Sequence, residues 1–282
     1  MSKRPKILYL VGTDPRNTSY GGEQRTHFIW EALKKVAEVH TVIPVAHKRS
    51  ERVDESDNIR WVCFERRWTP GWILRRIWSR FFPRVDLPCR GVKTKIKRMF
   101  PFSFDACVAR YLTMASYIKA WGIAPLFVDV DDFESERVRS MAVHGCFQKR
   151  EIVAKLIQLF EKKILRKATH AWVVIPDHLP FVSGLCSVSL LPNIPLLPEV
   201  SLADTTSDGH ILITVGLMGH PPNYLGVDGF LRRHWAEILE VFPDAIYKIA
   251  GAGLPEKYVR DWSHYENVRI LGFVDDLVAL YK

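Results

Sequence analysis

KILYLV (residues 6–11), GGEQRTHFIWEALKKVA (21–37) and VHTVIP (39–44) decide the fold. The first and last are short, near-continuous apolar runs, the pattern of strands buried on both faces of a parallel sheet. Between them the spacing predicts a helix over 23–37, with Phe28, Ile29, Ala32, Leu33 and Val36 on one face. Strand, helix, strand in that order is a βαβ unit. Gly21 and Gly22 sit at the strand-to-helix loop, where a missing side chain lets a backbone approach phosphate at a helix N-terminus.

The same alternation continues. FDACVA (104–109) predicts a strand ending at Arg110, 113–121 a helix, and LFVDV (126–130) a strand running into the acids Asp129, Asp131 and Asp132. The long apolar period over 149–167 predicts a helix with Ile152, Val153, Leu156, Phe160 and Ile164 facing inward, followed by strand ATHAWVVI (168–175). Residues 1–191 therefore read as one doubly wound α/β domain. Residues 192–209, rich in Pro, Ser, Asp and Thr, read as a linker, and a second βαβ pattern starts at His210 and occupies 210–282. Its strands are ILITV (211–215), 245–250 and 268–271, and its helices 226–241 and 256–262.

The carboxylate run at 129–134 fits either metal or acid/base chemistry, or a helix cap at Asp132 with another acid paired to an arginine. No His/Cys cluster joins it, so no metal site is expected. The five cysteines (63, 89, 107, 146, 186) are odd in number and contain no C-x-x-C pair, which argues against a disulfide framework and fits a reducing cytoplasm. No apolar run approaches the roughly 18 residues of a membrane span.

Charge is concentrated. The chain carries +9 overall, and residues 64–100 alone hold eleven basic residues against Glu65 and Asp86, which accounts for all of it. Within this segment Leu74, Ile77, Trp78 and Phe81 recur at helical spacing, Trp72 lies close by, and Arg75, Arg76 and Arg80 fall on the other side. Two readings stand: a helix lying on an anionic membrane surface through Trp72, Arg75, Arg76, Trp78 and Arg80, or a surface helix packed on its own domain. Nucleic acid is not an expected partner, because no recognition motif accompanies the charge. A nicotinamide enzyme is disfavoured by the lack of a placed G-x-G-x-x-G.

Three stretches, VGLMGHPPNYLGVDGF (215–230), FPDAIYKIAGAG (242–253) and NVRILGFVDDLVALY (267–281), together with GGEQR, FDACVAR, LFVDVDDFES and LPNIP in the first half, resemble GT-B glycosyltransferases of the family 4 type over nearly the whole chain. The resemblance implies one complete Rossmann-like acceptor domain and the first half of a second that holds a nucleotide-sugar donor. It implies a retaining transfer to a lipid-linked or polysaccharide acceptor, in cell-envelope or exopolysaccharide synthesis, with no cofactor. Gly21, Gly22, Gly216 and Asn223 match donor phosphate and sugar positions, and Val274 and Asp276 match those that cradle the nucleobase. Arg110 takes the place of a strand-end histidine near the reacting sugar, which implies stabilisation of the departing diphosphate. Leu217 and Asn223 stand where the family usually has an Arg and a Lys that grip that diphosphate. The family's later donor segment, with its paired glutamates, has no counterpart before Lys282, so the expectation is a truncated chain. Its alternative is a non-catalytic binding protein or one half of a split enzyme that needs a complementary chain. The expected location is cytoplasmic, peripheral to the inner membrane face.

Overall fold

The computed structural model describes residues 4–64, 70, 73–74, 77, 89, 91–140, 147–194 and 209–281. The chain divides into two compact units, Met1–Pro195 and Leu196–Lys282. Among the described residues, no helix is long and apolar enough to cross a membrane.

The first unit is built on eight strands: β1 (Lys6–Leu10), β2 (Glu38–Pro44), β3 (Arg52–Asp54), β4 (Ile59–Val62), β5 (Ala106–Arg110), β6 (Leu126–Val130), β7 (His170–Val173) and β8 (Ser187–Leu190). Their order across the sheet is β3-β4-β2-β1-β5-β6-β7-β8, and every pairing is parallel except the β3–β4 hairpin. β1 is central, with Ile7 opposite Val39 of β2 on one side and Ala106 of β5 on the other. Its side chains alternate. Leu8 and Leu10 enter one core with Cys107, Ala109 and Val128, while Tyr9 and Val11 enter the other with Val39, Ile43 and Trp30. Burying each of these leucines contributes about 2 kcal/mol.

The helices of this unit are α1 (Gly21–Val36), α2 (Val92–Met99), α3 (Leu112–Tyr117), α4 (Glu134–Ser140), α5 (Phe147–Leu165) and α6 (Leu179–Ser183). Two of them face differently from the sequence expectation. On α1 the buried residues are Glu23, Arg25, Thr26 and Trp30, whereas Ala32 and Val36 are exposed. On α5 the buried positions are Ala154, Ile157, Glu161, Ile164 and Leu165, while Ile152 and Leu156 are exposed with Leu159. The physical reason is the same in both. Ile29 and Leu33 of α1 and Phe160 and Ile164 of α5 do pack into the cores as the spacing predicts. Polar side chains that find partners inside share the buried face, however, so hydrophobicity alone sets its centre off by part of a turn.

The second unit alternates β9 (Ile211–Val215), α7 (Pro221–Val241), β10 (Ile246–Ala250), α8 (Glu256–Trp262), β11 (Val268–Gly272) and α9 (Leu277–Tyr281). Its sheet is parallel, in the order β11-β10-β9. α7 starts five residues before the sequence expectation, because Pro221 and Pro222 occupy its first turn, where a missing N–H costs nothing. Trp235 and Trp262 anchor the core. Each buries its ring and donates its indole N–H, Trp235 to the Glu266 carbonyl (2.8 Å) and Trp262 to the Asp228 carboxylate (3.2 Å).

Candidate functional site

The chain leaves β1 toward β2 on one side, while β5 and its successors lie on the other. Such a reversal of strand order opens a crevice at the carboxyl ends of the strands, the usual binding place in open α/β sheets. In this unit the reversal lies between β1 and β5. Around it stand Gly21 and Gly22 at the start of α1, Arg110 and Tyr111 at the end of β5, and Asp129 and Asp131 at the end of β6.

Asp129 is the centre of this cluster. It is fully buried, and its carboxylate accepts from the guanidinium groups of both Arg25 (Nε, 2.9 Å) and Arg110. Both arginines are buried as well. Arg110 donates its Nε to Thr26 Oγ1 (3.1 Å) and its Nη2 to the Gly22 carbonyl (3.3 Å), the Tyr111 hydroxyl (3.1 Å) and Asp131 (3.3 Å). Burial by itself would lower the Arg110 pKa, but the charge of Asp129, then Tyr111, Tyr9 and Asp131, outweighs it, and the net shift is upward. Arg110 is therefore a permanent cation, each of whose three nitrogens donates to protein groups. Arg25 reaches further. Its Nη1 donates to the Pro192 carbonyl (3.2 Å) and to Asn193 Oδ1 (3.1 Å), just past β8.

The glycine turn is held by this cluster. Gly22 offers its carbonyl to Arg110 and to the Thr26 hydroxyl (2.8 Å), and Tyr9 donates its hydroxyl to the Thr26 carbonyl (3.0 Å). A β-carbon on Gly22 would come within 3.2 Å of the Tyr20 ring and 3.4 Å of the Tyr111 hydroxyl, so glycine is what lets two tyrosines close on the turn. No side chain caps the start of α1. Glu23, in its first turn, accepts from the Ser19 amide (3.1 Å) and the Asn17 side chain (3.4 Å), and so ties down the preceding loop.

In the second unit the strand-end turns interlock. A β-carbon on Gly251 would lie 1.6 Å from the Gly216 carbonyl oxygen, and Gly251 has φ +144°, so only glycine fits. Gly219 donates its amide to the Ala252 carbonyl (3.0 Å), and Gly251 donates to the Gly272 carbonyl (2.6 Å). Asn223 donates its side-chain amide to the Leu217 carbonyl (3.0 Å) and packs against Gly216, so it closes the β9–α7 turn. It also lines a cavity of about 490 Å³ with β9, Met218, Val227, Phe230 and Tyr247. Asp276 accepts from the Ala279 amide (3.0 Å) at the start of α9, and beside Val274 the Phe273 ring is two-thirds exposed.

Of the residues named from sequence, Gly21, Gly22 and Arg110 come together in the first unit, and Gly216 and Asn223 in the second; Val274 and Asp276 follow β11. Trp72, Arg75, Arg76, Trp78 and Arg80 lie outside the described residues. Sequence reasoning did not single out Arg25, Tyr111 or Phe273, and it left Asp129 with two open readings. The one available signal was an arginine on the inner face of an otherwise amphipathic helix.

Two α/β units in succession, each on a mainly parallel sheet with glycine turns at its strand ends, have the architecture of the GT-B fold. Comparison with solved structures agrees. A sucrose-phosphate synthase from Thermosynechococcus elongatus matches 99% of this chain and 73% of its own, with a TM-score of 0.60 and 14% identity. A UDP-forming α,α-trehalose-phosphate synthase from Burkholderia xenovorans matches 99% of this chain and 76% of its own (TM-score 0.52, 11% identity). A protein assigned as a UDP-N-acetylglucosamine 2-epimerase from Listeria monocytogenes matches 99% and 71% (TM-score 0.50, 14% identity). No family model matches the chain, and no curated protein sequence does.

Proposed function

We propose that the chain is a retaining glycosyltransferase that moves a sugar from a nucleotide sugar to a lipid-linked or polysaccharide acceptor. Residues 1–191 take the acceptor and residues 210–282 contribute to the donor site. The observation that carries this reading is the GT-B likeness over 99% of the chain to two sugar-phosphate synthases, one of them named as UDP-forming. The position of the turns supports it: Gly21 and Gly22 follow β1 and Gly216 follows β9, at the carboxyl ends of parallel strands, where open α/β sheets bind ligands.

Arg110 acts in this proposal as a positioning residue. A direct bond to a departing diphosphate would require it to release Gly22, Tyr111 or one of its two carboxylates. Its charge is already matched by Asp129 and Asp131, and its part is to hold the Gly22 turn in place. It is no base, since it keeps its proton. In the second unit Asn223 fixes the β9–α7 turn where a diphosphate-gripping lysine is usual.

The basic segment 64–100 supplies the membrane contact, in keeping with the exposure of Ile73, Leu74 and Ile77. Isothermal titration of the chain with UDP, ADP and GDP tests the donor reading, and nucleotide release from the matching nucleotide sugars tests turnover. Micromolar binding of one nucleotide is the expected result; binding of none of the three sinks the proposal. Release without any sugar transfer to glycan or lipid acceptors would point to nucleotide-sugar chemistry of another kind, a reading the epimerase likeness keeps in view. Co-sedimentation with phosphatidylglycerol vesicles tests the membrane contact: binding should weaken with salt and when Arg75, Arg76 and Arg80 become Glu.

A further inference from the structure

Tyr111 has φ +69° and ψ 146°, a backbone conformation that glycine adopts freely and tyrosine does not. A bulky residue kept in such a place is kept for its side chain. That side chain is fixed from two directions. Its ring lies over Arg110, with the guanidinium carbon 4.4 Å from the ring centroid. Its hydroxyl sits between Arg110 Nη2 (3.1 Å) and Asp131 Oδ2 (3.4 Å). Yet Tyr111 is not sealed off: it is about one-third exposed, while Arg110 and Asp129 beneath it are dry. Asp131 also keeps part of its carboxylate in solvent. Tyr20, nearly half exposed, brings its ring to the same Gly22 turn.

The outer layer at the β1/β5 reversal therefore consists of two partly exposed tyrosines and a carboxylate around a glycine. Beneath them Arg25 and Arg110 share Asp129, and Arg110 also reaches up to Asp131 of the outer layer, so each arginine is already paired. Among the described residues of this cluster, neither arginine is an uncommitted cation that could hold a phosphate. The outer layer offers aromatic faces for C–H groups and a carboxylate and phenol for hydroxyls, which is the chemistry that recognises a neutral pyranose ring.

We propose that Tyr20, Tyr111 and Asp131 form a subsite for one neutral pyranose unit of the acceptor, with Asp131 accepting from a sugar hydroxyl and the Tyr20 ring covering a sugar face. The subsite rests on the glycosyltransferase reading for its place in a reaction, but its occupancy is measurable separately. Saturation-transfer NMR on the full chain, with methyl β-D-glucopyranoside, methyl N-acetyl-β-D-glucosaminide and maltose as probes, reads it directly. Transfer to the ring protons of at least one probe is expected. Tyr20→Ala, Asp131→Asn and Tyr111→Gly should each weaken that probe at least tenfold and leave the titration with UDP, ADP or GDP unchanged. Tyr111→Gly keeps a backbone conformation that glycine adopts freely, and a cooperative melting transition recorded for each variant separates lost binding from lost folding. Nucleotide binding with no probe bound overturns the subsite alone. Probe binding that all three variants retain overturns it too, since the sugar then sits elsewhere. Probe binding that depends on these residues, without nucleotide binding, upholds the subsite and removes the transferase reading.

Discussion

Replacing Asp129 by alanine leaves two buried guanidinium groups without the carboxylate they share. Arg25 is 5% exposed and Arg110 is fully buried, so neither reaches water without moving the elements that carry it. Breaking a buried ion pair by removing one partner costs about 3–5 kcal/mol. Here one deletion takes the shared carboxylate from two cations at once; Arg110 keeps Asp131 (3.3 Å) while Arg25 loses its ion pair, which places the loss near the middle of that range. Domains are stable by only about 5–15 kcal/mol, so Asp129→Ala should sit close to unfolding at room temperature. With a urea dependence of about 2 kcal/mol per molar, a loss of 4 kcal/mol moves the midpoint down by about 2 M. Urea titration followed by amide exchange in β1, β5 and β6 reads the effect in the first unit itself. The companion variant replaces the whole triad, Asp129→Leu with Arg25→Met and Arg110→Met, and should recover much of the stability, because none of the three fully buried charges remains and Asp131, which loses Arg110, keeps part of its carboxylate in solvent. A loss below about 1 kcal/mol for Asp129→Ala, or a triple variant no more stable than the single one, would refute the argument that the cluster is a dry, mutually dependent unit.

Two more outcomes follow from geometry. Glu161, buried on α5, accepts from the Ser135 hydroxyl (2.6 Å) and the Ser135 amide (3.1 Å), and burial pushes its pKa from 4.5 up to about 7. The folded state then holds a proton that the unfolded chain releases near pH 4.5. This group's contribution is most favourable below that pH and declines as pH rises through about 7, by about 3 kcal/mol at most. The stability difference between the parent and Glu161→Gln, from urea midpoints at pH 5 and pH 8, should shift toward the variant at pH 8; a difference that ignores pH removes the claim. Gly251→Ala should destabilise the second unit by about 3 kcal/mol or more, since its β-carbon would occupy the space of the Gly216 carbonyl. Thermal unfolding followed through Trp235 and Trp262 reads it, and a melting point within a degree or two of the parent is the result that contradicts the packing.

The strand periods were legible because they are local: 126–130 and 211–215 emerge with the expected limits. The β3–β4 hairpin was not, since Arg52–Asp54 is short and polar and becomes a strand only by pairing with Ile59–Val62. Arg110 was singled out by its place at a strand end. Its partners were not, because Asp129 lies 19 residues from it and 104 from Arg25, and nothing in a linear pattern says which carboxylate meets which guanidinium. The inner faces of α1 and α5 were legible in part, through Ile29, Leu33, Phe160 and Ile164, and the rest was missed for the same cause: Arg25, Thr26 and Glu161 are inside on account of partners that are distant in sequence.

Arg25 has a consequence beyond the charge it balances. One end of its guanidinium grips the carboxylate at the heart of the sheet-end cluster, and the other grips Pro192 and Asn193 as the chain passes out of β8. It works as a strut whose two ends lie 167 residues apart in sequence, between the glycine turn and the chain's exit from the first unit. Linkage makes such a strut reciprocal: whatever ligand reshapes the turn changes how firmly the exit is held, and whatever tugs on the exit changes the turn by the same free energy.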